Sequence, residues 1–394
     1  MRSIVVLLLL ALAGIANAQP QEMAPDEIQA GPLEAEPPFV ELYTFGPGEL
    51  IFERFGHATI CLRYHDPAKH PSVCFNWGVT DFGDEGTDLT WAFLRGQQTF
   101  WVEPTKYASM FQFYANEDRD IWRQEIPLDH DERRAIEAEL WRAITEENKY
   151  YIYDHFFDNC TTRIRDLLDL ITGDRLKANA SAAQAYTFRD LGKQGLAGLP
   201  PLIAIADFVL GRQLDDHPTL HQAMFWPDVL RAEIAKRFGA PVDQIHYRAG
   251  TPIDGSGSTG RLLMFLVALG LVAPLIAARL LRRFERAALV LPALYAGLWG
   301  VVIWGLAIIS PIDGVRWNEL LIVLVPFDLA LPFLGPKQRV LYARVRLAMC
   351  FLASALAGLG VFHQPIWVPL LSVVMPLALC AWQRPDRGGE LVGR

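Results

Sequence analysis

The chain has no Cys-x-x-Cys pair, no His-Glu-x-x-His run and no glycine-rich stretch followed by Lys-Ser or Lys-Thr. Their absence removes the spacings by which zinc sites, metalloproteases and nucleotide loops are recognised. Gly46-Pro47-Gly48 reads as a turn, and His65, Asp66 and His70 as an exposed turn cluster. There is no internal repeat. Positive charge is not in excess: 36 Lys and Arg against 44 Asp and Glu leave a formal net charge of −8, which gives no support for a nucleic-acid partner. Cysteine is scarce, five in 394 residues, and what each one can do depends on the compartment it occupies.

Met1-Arg2, an apolar run from Ile4 to Ala13 and Ala16-Asn17-Ala18 follow the pattern of a secretory signal peptide over 1–18. A retained anchor is the alternative, for which the run is short. Residues 19–37, rich in Pro, Glu and Ala, read as a disordered leader. The C-terminal third is mostly apolar, and five spans are expected near 262–281, 287–309, 318–334, 347–362 and 366–382, the last three shorter or broken by prolines. Every second loop is basic: Arg279, Arg282, Arg283 and Arg286, then Lys337, Arg339, Arg344 and Arg346, then Arg384 and Arg387. With residues 19–261 outside the cytoplasm, that alternation satisfies the positive-inside rule.

Between the leader and the spans the pattern is mixed. "FVELYTF", "HATICLRY" and "SVCFNWG" read as short strands, the last two forming a hairpin around "HDPAKHP". Ile136, Leu140 and Ile144 recur at helical spacing. A second helix follows Cys160, with Asp158 as the expected N-cap, Ile164, Leu167, Leu168 and Ile171 on one face, and Gly173 as the C-cap. "LPPLIAIADFVLG" is apolar but short for a span. Polar Asn318, Glu319 and His363 fall at expected outer ends of spans, where polar residues are usually interfacial and where lining an acceptor or lipid-headgroup site is the alternative.

Cys350 and Cys380 lie in expected spans and read as small apolar side chains. Cys61 and Cys74 lie on the two arms of the hairpin, where a cross-strand disulfide is plausible. That pairing would leave Cys160 free in the first turn of a helix, where the dipole and unpaired N–H groups favour a thiolate; a buried inert cysteine is the alternative. A nucleophilic thiol needs a base and a group that orients the base. His57 opens a strand directly after "RFG" and is the candidate base, with Asn76 on the paired strand as its orienting group. His65, His70, His130, His217 and His221 read as solvated, and His155 as packed. Arg163, one turn beyond Cys160, reads as half of an ion pair or as a phosphate ligand.

The stretches "FGPGELIFERFGHATI", "FNWGVTDF", "FLRGQQTFWVEP" and "YYIYDHFFDNCTTRIRDLL" resemble, in that order, the extracytoplasmic domain of Lnb-type bacterial membrane proteins, which are lipoprotein N-acyltransferases. The order of histidine before cysteine is similar to the circularly permuted papain-like fold of lecithin:retinol acyltransferase. The resemblance implies an α+β, permuted papain-like extracytoplasmic domain followed by a multi-span α-helical membrane domain, in the bacterial inner membrane with its N-terminal domain in the periplasm. It also implies that Cys160 takes an acyl chain from a phospholipid as a thioester, with His57 as base, and passes it to the N-terminal amine of a lipoprotein. No cofactor is called for. Beyond the spans, the C-terminal half carries no matching stretch.

The expected division is a catalytic domain over 38–175, a helical extension over 176–249, a linker over 250–261, the membrane domain over 262–382 and a cytoplasmic tail over 383–394. Two other readings compete. A membrane-anchored cysteine peptidase or amidase would use the same pair with water as acceptor, and an envelope assembly protein would carry Cys160 as a structural residue.

Overall fold

A computed structural model describes residues 28, 35–51, 53–80, 91, 92, 94–250, 259–281 and 283–382. The expected signal peptide, most of the leader and linker, Arg282 and the tail lie outside the described residues. The chain divides into two compact units, one formed by 1–198 with 217–256, the other by 199–216 with 257–394.

The first unit is built on a seven-stranded antiparallel sheet: β1 (Phe39–Phe45), β2 (His57–Arg63), β3 (Val73–Val79), β4 (Thr99–Lys106), β5 (Ile121–Glu125), β6 (Tyr150–Ile152) and β7 (Asp243–His246), in the order β6-β4-β3-β2-β1-β5-β7. The helices in chain order are α1 (Tyr107–Asn116), α2 (His130–Ala143), α3 (Cys160–Thr172), α4 (Phe188–Gly195), α5 (Pro200–Val209) and α6 (Pro227–Phe238). All but α5 belong to this unit. The expected extension over 176–249 is thus divided: α5 goes with the second unit, while α4, α6 and β7 build the first.

β1 and β2 are buried at nearly every residue because both faces of the sheet are covered. On one face Leu42, Ile60 and Phe75 pack against Ile136 and Leu140 of α2, Ile164 and Leu168 of α3, and Leu230 and Ile234 of α6. On the other, Tyr43, Phe45, Cys61 and Cys74 pack against Met110 and Tyr114 of α1. The expected hairpin is β2 and β3. Cys61 and Cys74 stand directly opposite each other and form a disulfide.

In the second unit three helices are long and apolar enough to cross a membrane: Leu262–Leu280, Glu285–Ile309 and Pro336–Gly358. They belong to α7 (Thr259–Leu280), α8 (Val290–Ile309 and the turn before it) and α9 (Pro336–Gly358); α10 (Trp367–Ala381) is shorter. Of the five spans expected, the two long ones and the 347–362 one fall on these helices and the short last one on α10, while the one expected over 318–334 is not an α-helix. Residues 318–334 form two 3₁₀ turns, Glu319–Ile322 and Pro326–Phe333, running beside α8, where a Cβ on Gly300 would meet the Val325 carbonyl carbon at 2.5 Å.

A non-helical segment leaves carbonyls without partners, and two arginines supply them. Arg346 donates to Ile322 and Val323 and holds both oxygens of Asp328 at 3.0 Å, while Arg339 donates to Leu331 and Leu334. Both arginines, expected in a cytoplasmic loop, are therefore buried on α9. Irregular backbone between apolar helices is tolerated where protein groups satisfy it. Cys350 and Cys380 are buried and free.

The turns gather at two ends. Arg279 at the end of α7 donates to Leu379 and Trp382 at the end of α10. At the other end the Glu319 carboxylate accepts the N–H groups of His363 and Gln364 at 2.9 and 2.8 Å, and Asn318 donates to Phe208 of α5. Asn318 and Glu319 thus fasten chain segments to one another, and His363 is fastened through its backbone.

Candidate active site

α3 begins at Cys160, and its N-cap is Asn159 rather than Asp158. The Asn159 side chain accepts from the N–H groups of Thr161 and Thr162 at 2.9 Å and donates to the carbonyls of His155 and Phe225. Both of its side-chain polar atoms are used, as burial requires. Asp158 instead forms a two-point ion pair with Arg163 at 2.5 and 2.7 Å, the structural alternative for that arginine. The cap leaves the Cys160 N–H unengaged, so an unused amide and a thiol share the first turn of the helix.

β2 starts at His57, paired across from Phe45. Gly56 just before it has a φ of +74°, and a Cβ there would stand 2.7 Å from the Phe45 carbonyl oxygen; this explains the glycine in "RFG". The His57 ring stacks on Phe45 and on Tyr114, with centroids 5.9 and 5.8 Å away. Its Nε2 lies 3.4 Å from Asn76 Oδ1. The Asn76 amide nitrogen donates to Thr105 Oγ1 at 3.3 Å, which orients the amide toward the ring. Asn76 sits inside β3 and is not a turn residue.

The Cys160 thiol, half-buried, lies 3.7 Å from the Thr161 hydroxyl and close enough to the His57 ring and the Ala58 N–H for both to act on its ionisation. Burial pushes its pKa up, but the His57 charge and hydrogen bond, with help from Ala58 and Thr161, outweigh burial and bring it down to about 7. The three residues singled out in the sequence therefore come together. With Cys61 and Cys74 joined, Cys160 is the free thiol of the first unit.

Sequence reading missed the groups around this pair. Tyr151 on β6 has a buried hydroxyl without a partner, and its ionisation is suppressed by burial and by the neighbouring Cys160 thiolate. Arg119 is 3 % exposed, lies over the Tyr114 ring, donates from Nε to Gly46 at 2.8 Å and carries an unpaired buried Nη2. It is close enough to Cys160 to interact with its charge. Neither residue had a spacing signal: Tyr151 belongs to an aromatic run, and Arg119 lies in a polar turn between α1 and β5.

The remaining histidines sort as packing or pairing. His155 packs edge-on against Phe55 and Phe156 and accepts from or donates to the Tyr153 hydroxyl at 3.1 Å; burial lowers its pKa to about 4. His221, expected to be solvated, instead contacts the buried Asp169 at 2.8 Å. His65, His70, His130 and His217 lie in surface turns or at helix starts. Among the described residues no group of three or more His, Cys, Asp or Glu could hold a metal ion.

Residues 37–194 match the family model described as the Lnb N-terminal periplasmic domain. That bears out the resemblance drawn from the four sequence stretches. The matched segment contains His57, Asn76, Tyr151 and Cys160 and every strand of the sheet except β7. No curated protein and no solved structure matches the chain. A periplasmic-domain family together with three helices of spanning length makes this a membrane protein with a periplasmic N-terminal domain.

Proposed function

We propose that the protein is a cysteine-dependent lipoprotein N-acyltransferase of the inner membrane, crossing it several times, with a permuted papain-like catalytic domain. The reading is carried by one arrangement: a thiol with a pKa of about 7 at a helix N-terminus, beside a histidine whose far nitrogen meets an asparagine. With Nε2 turned to Asn76, Nδ1 is the nitrogen left for the thiol, so Asn76 sets the ring's tautomer.

The Cys160 thiolate attacks an ester carbonyl of a phospholipid. The carbon–oxygen bond to glycerol breaks, the departing alkoxide takes the proton held by His57, and the acyl group stays as a thioester. The α-amine of a lipoprotein's N-terminal cysteine then attacks the thioester. The carbon–sulfur bond breaks, His57 takes the amine proton, and the thiolate returns. In each step the unengaged Cys160 N–H and the unpaired Tyr151 hydroxyl are the donors available to the tetrahedral oxyanion. Attachment to the bilayer favours the transfer because donor and acceptor both reside there.

Full-length protein in lipid vesicles, incubated with phospholipid and a diacylated lipopeptide, should give an acyl adduct on Cys160 and N-acylated product by mass spectrometry. Free fatty acid as the sole product would make it a hydrolase. No adduct and no product from folded protein would leave Cys160 a structural residue.

A further inference from the structure

We infer that a cavity beside His57 seats the anionic phosphodiester headgroup of the acyl donor, with Arg54 as its ligand; this rests on the acyl-transfer reading above. The cavity has a volume of about 190 Å³, and its lining includes Phe45, Gly46, Arg54, Gly56, Trp226 and Asp228. Arg54 Nη1 donates to the Ala197 carbonyl at 2.8 Å, which fixes the side chain. Its Nε–H is buried and meets no acceptor. A buried guanidinium N–H without a partner is a costly arrangement in the empty protein and a ready one for a phosphate oxygen.

The other charges around the cavity leave that role to Arg54. Asp228, the one carboxylate among the lining residues, is ion-paired with Arg231 at 2.8 Å. Pro227 and Asp228 open the twelve-residue helix α6, so its positive end also borders the cavity. Arg119 pins the Gly46 carbonyl on the rim.

Position gives the cavity its link to the chemistry. Gly56 immediately precedes His57, and the Phe45 ring stacks on the His57 ring. In a glycerophospholipid the phosphate and the ester carbonyls are a few bonds apart on one glycerol. A phosphate held beside Gly56 would therefore orient a neighbouring ester toward Cys160.

The test separates binding from transfer. The probe is di-O-hexyl phosphatidylglycerol, whose ether links cannot acylate a thiol, and the readout is protection of Cys160 from iodoacetamide in the solubilised full-length protein. Protection of tenfold or more is expected from this lipid, less than twofold from the di-O-hexyl glycerol that lacks phosphate, and less than twofold from inorganic phosphate at the same concentration. Arg54→Gln should reduce the lipid's protection to less than twofold, and Arg54→Lys should retain part of it. Equal protection by the phosphate-free lipid, or full protection in Arg54→Gln, overturns the inference. Protection by inorganic phosphate as strong as that by the lipid overturns the headgroup assignment. If Arg54→Gln does not fold, the comparison of the three ligands on the unaltered protein decides alone. A Cys160 thioester without protection by the ether lipid sinks the headgroup site and leaves the transferase; protection without any thioester from ester-linked lipid does the reverse.

Discussion

A thiol at the first position of a helix gains only part of what a nucleophile needs, since burial opposes the thiolate. At Cys160 the deciding contribution is His57. The rate of iodoacetamide labelling in unaltered protein should rise with pH around a midpoint near 7. In His57→Ala the thiolate loses its largest stabilising partner while burial remains, so the midpoint should move up, toward or beyond the ordinary thiol range. Acylation should fall about 10²- to 10⁴-fold, the usual worth of a general base; an unchanged midpoint would sever the pair. His155 offers a control with a different readout. Its pKa is lowered to about 4 from an ordinary 6.5, so below pH 6.5 the unfolded chain takes up a proton that the folded one refuses. Stability should then fall as the pH drops from 6.5 to 4 by up to about 3 kcal/mol and level off below that. Replacing His155 with Gln should flatten this slope in unfolding measurements, with little change in the midpoint of Cys160 labelling.

The elements show what a sequence can convey. The β2–β3 hairpin, the disulfide, the apolar face of α3 and its Gly173 cap were all legible, because each depends on residues close in sequence with a strong local signature. The cap of α3 was misplaced by one residue. Asp158 and Asn159 are both good capping residues, and the choice was made by distant carbonyls, notably that of Phe225, which take up the Asn159 amide. Asn159→Ala should accordingly cost about 0.5–2 kcal/mol and speed hydrogen exchange in the first turn of α3. Asp158→Ala, which removes a half-exposed ion pair, should cost no more than about 1 kcal/mol. β4, β6 and β7 were not legible: β4 contains Pro104, and the other two are short segments that become strands only by pairing at the sheet edges. The 318–334 segment has the composition of a span but is held in 3₁₀ turns by arginines from α9, a tertiary effect that hydropathy does not register.

At the scale of the whole chain, charge pattern and structure agree on more than the number of long helices suggests. The 318–334 segment and α10 do not meet the length of a helical span, yet the turns of the second unit still gather at two ends. Arg279 meets the end of α10 at one of them, and Glu319 meets the 363–364 turn at the other. Moving Arg339 and Arg346 into the protein interior weakens the positive-inside signal of that loop but leaves Arg279, Arg283 and Arg286 near the first end. In the proposed topology the first end faces the cytoplasm and the second the periplasm. Single cysteines at Trp317 and Leu359, both well exposed, should therefore react with a membrane-impermeant maleimide in intact spheroplasts. A cysteine at Arg286, also exposed, should react only after lysis. Labelling of Arg286→Cys before lysis, with Trp317→Cys protected, would invert the orientation and place the 37–194 domain on the wrong side of the membrane for a lipoprotein acceptor.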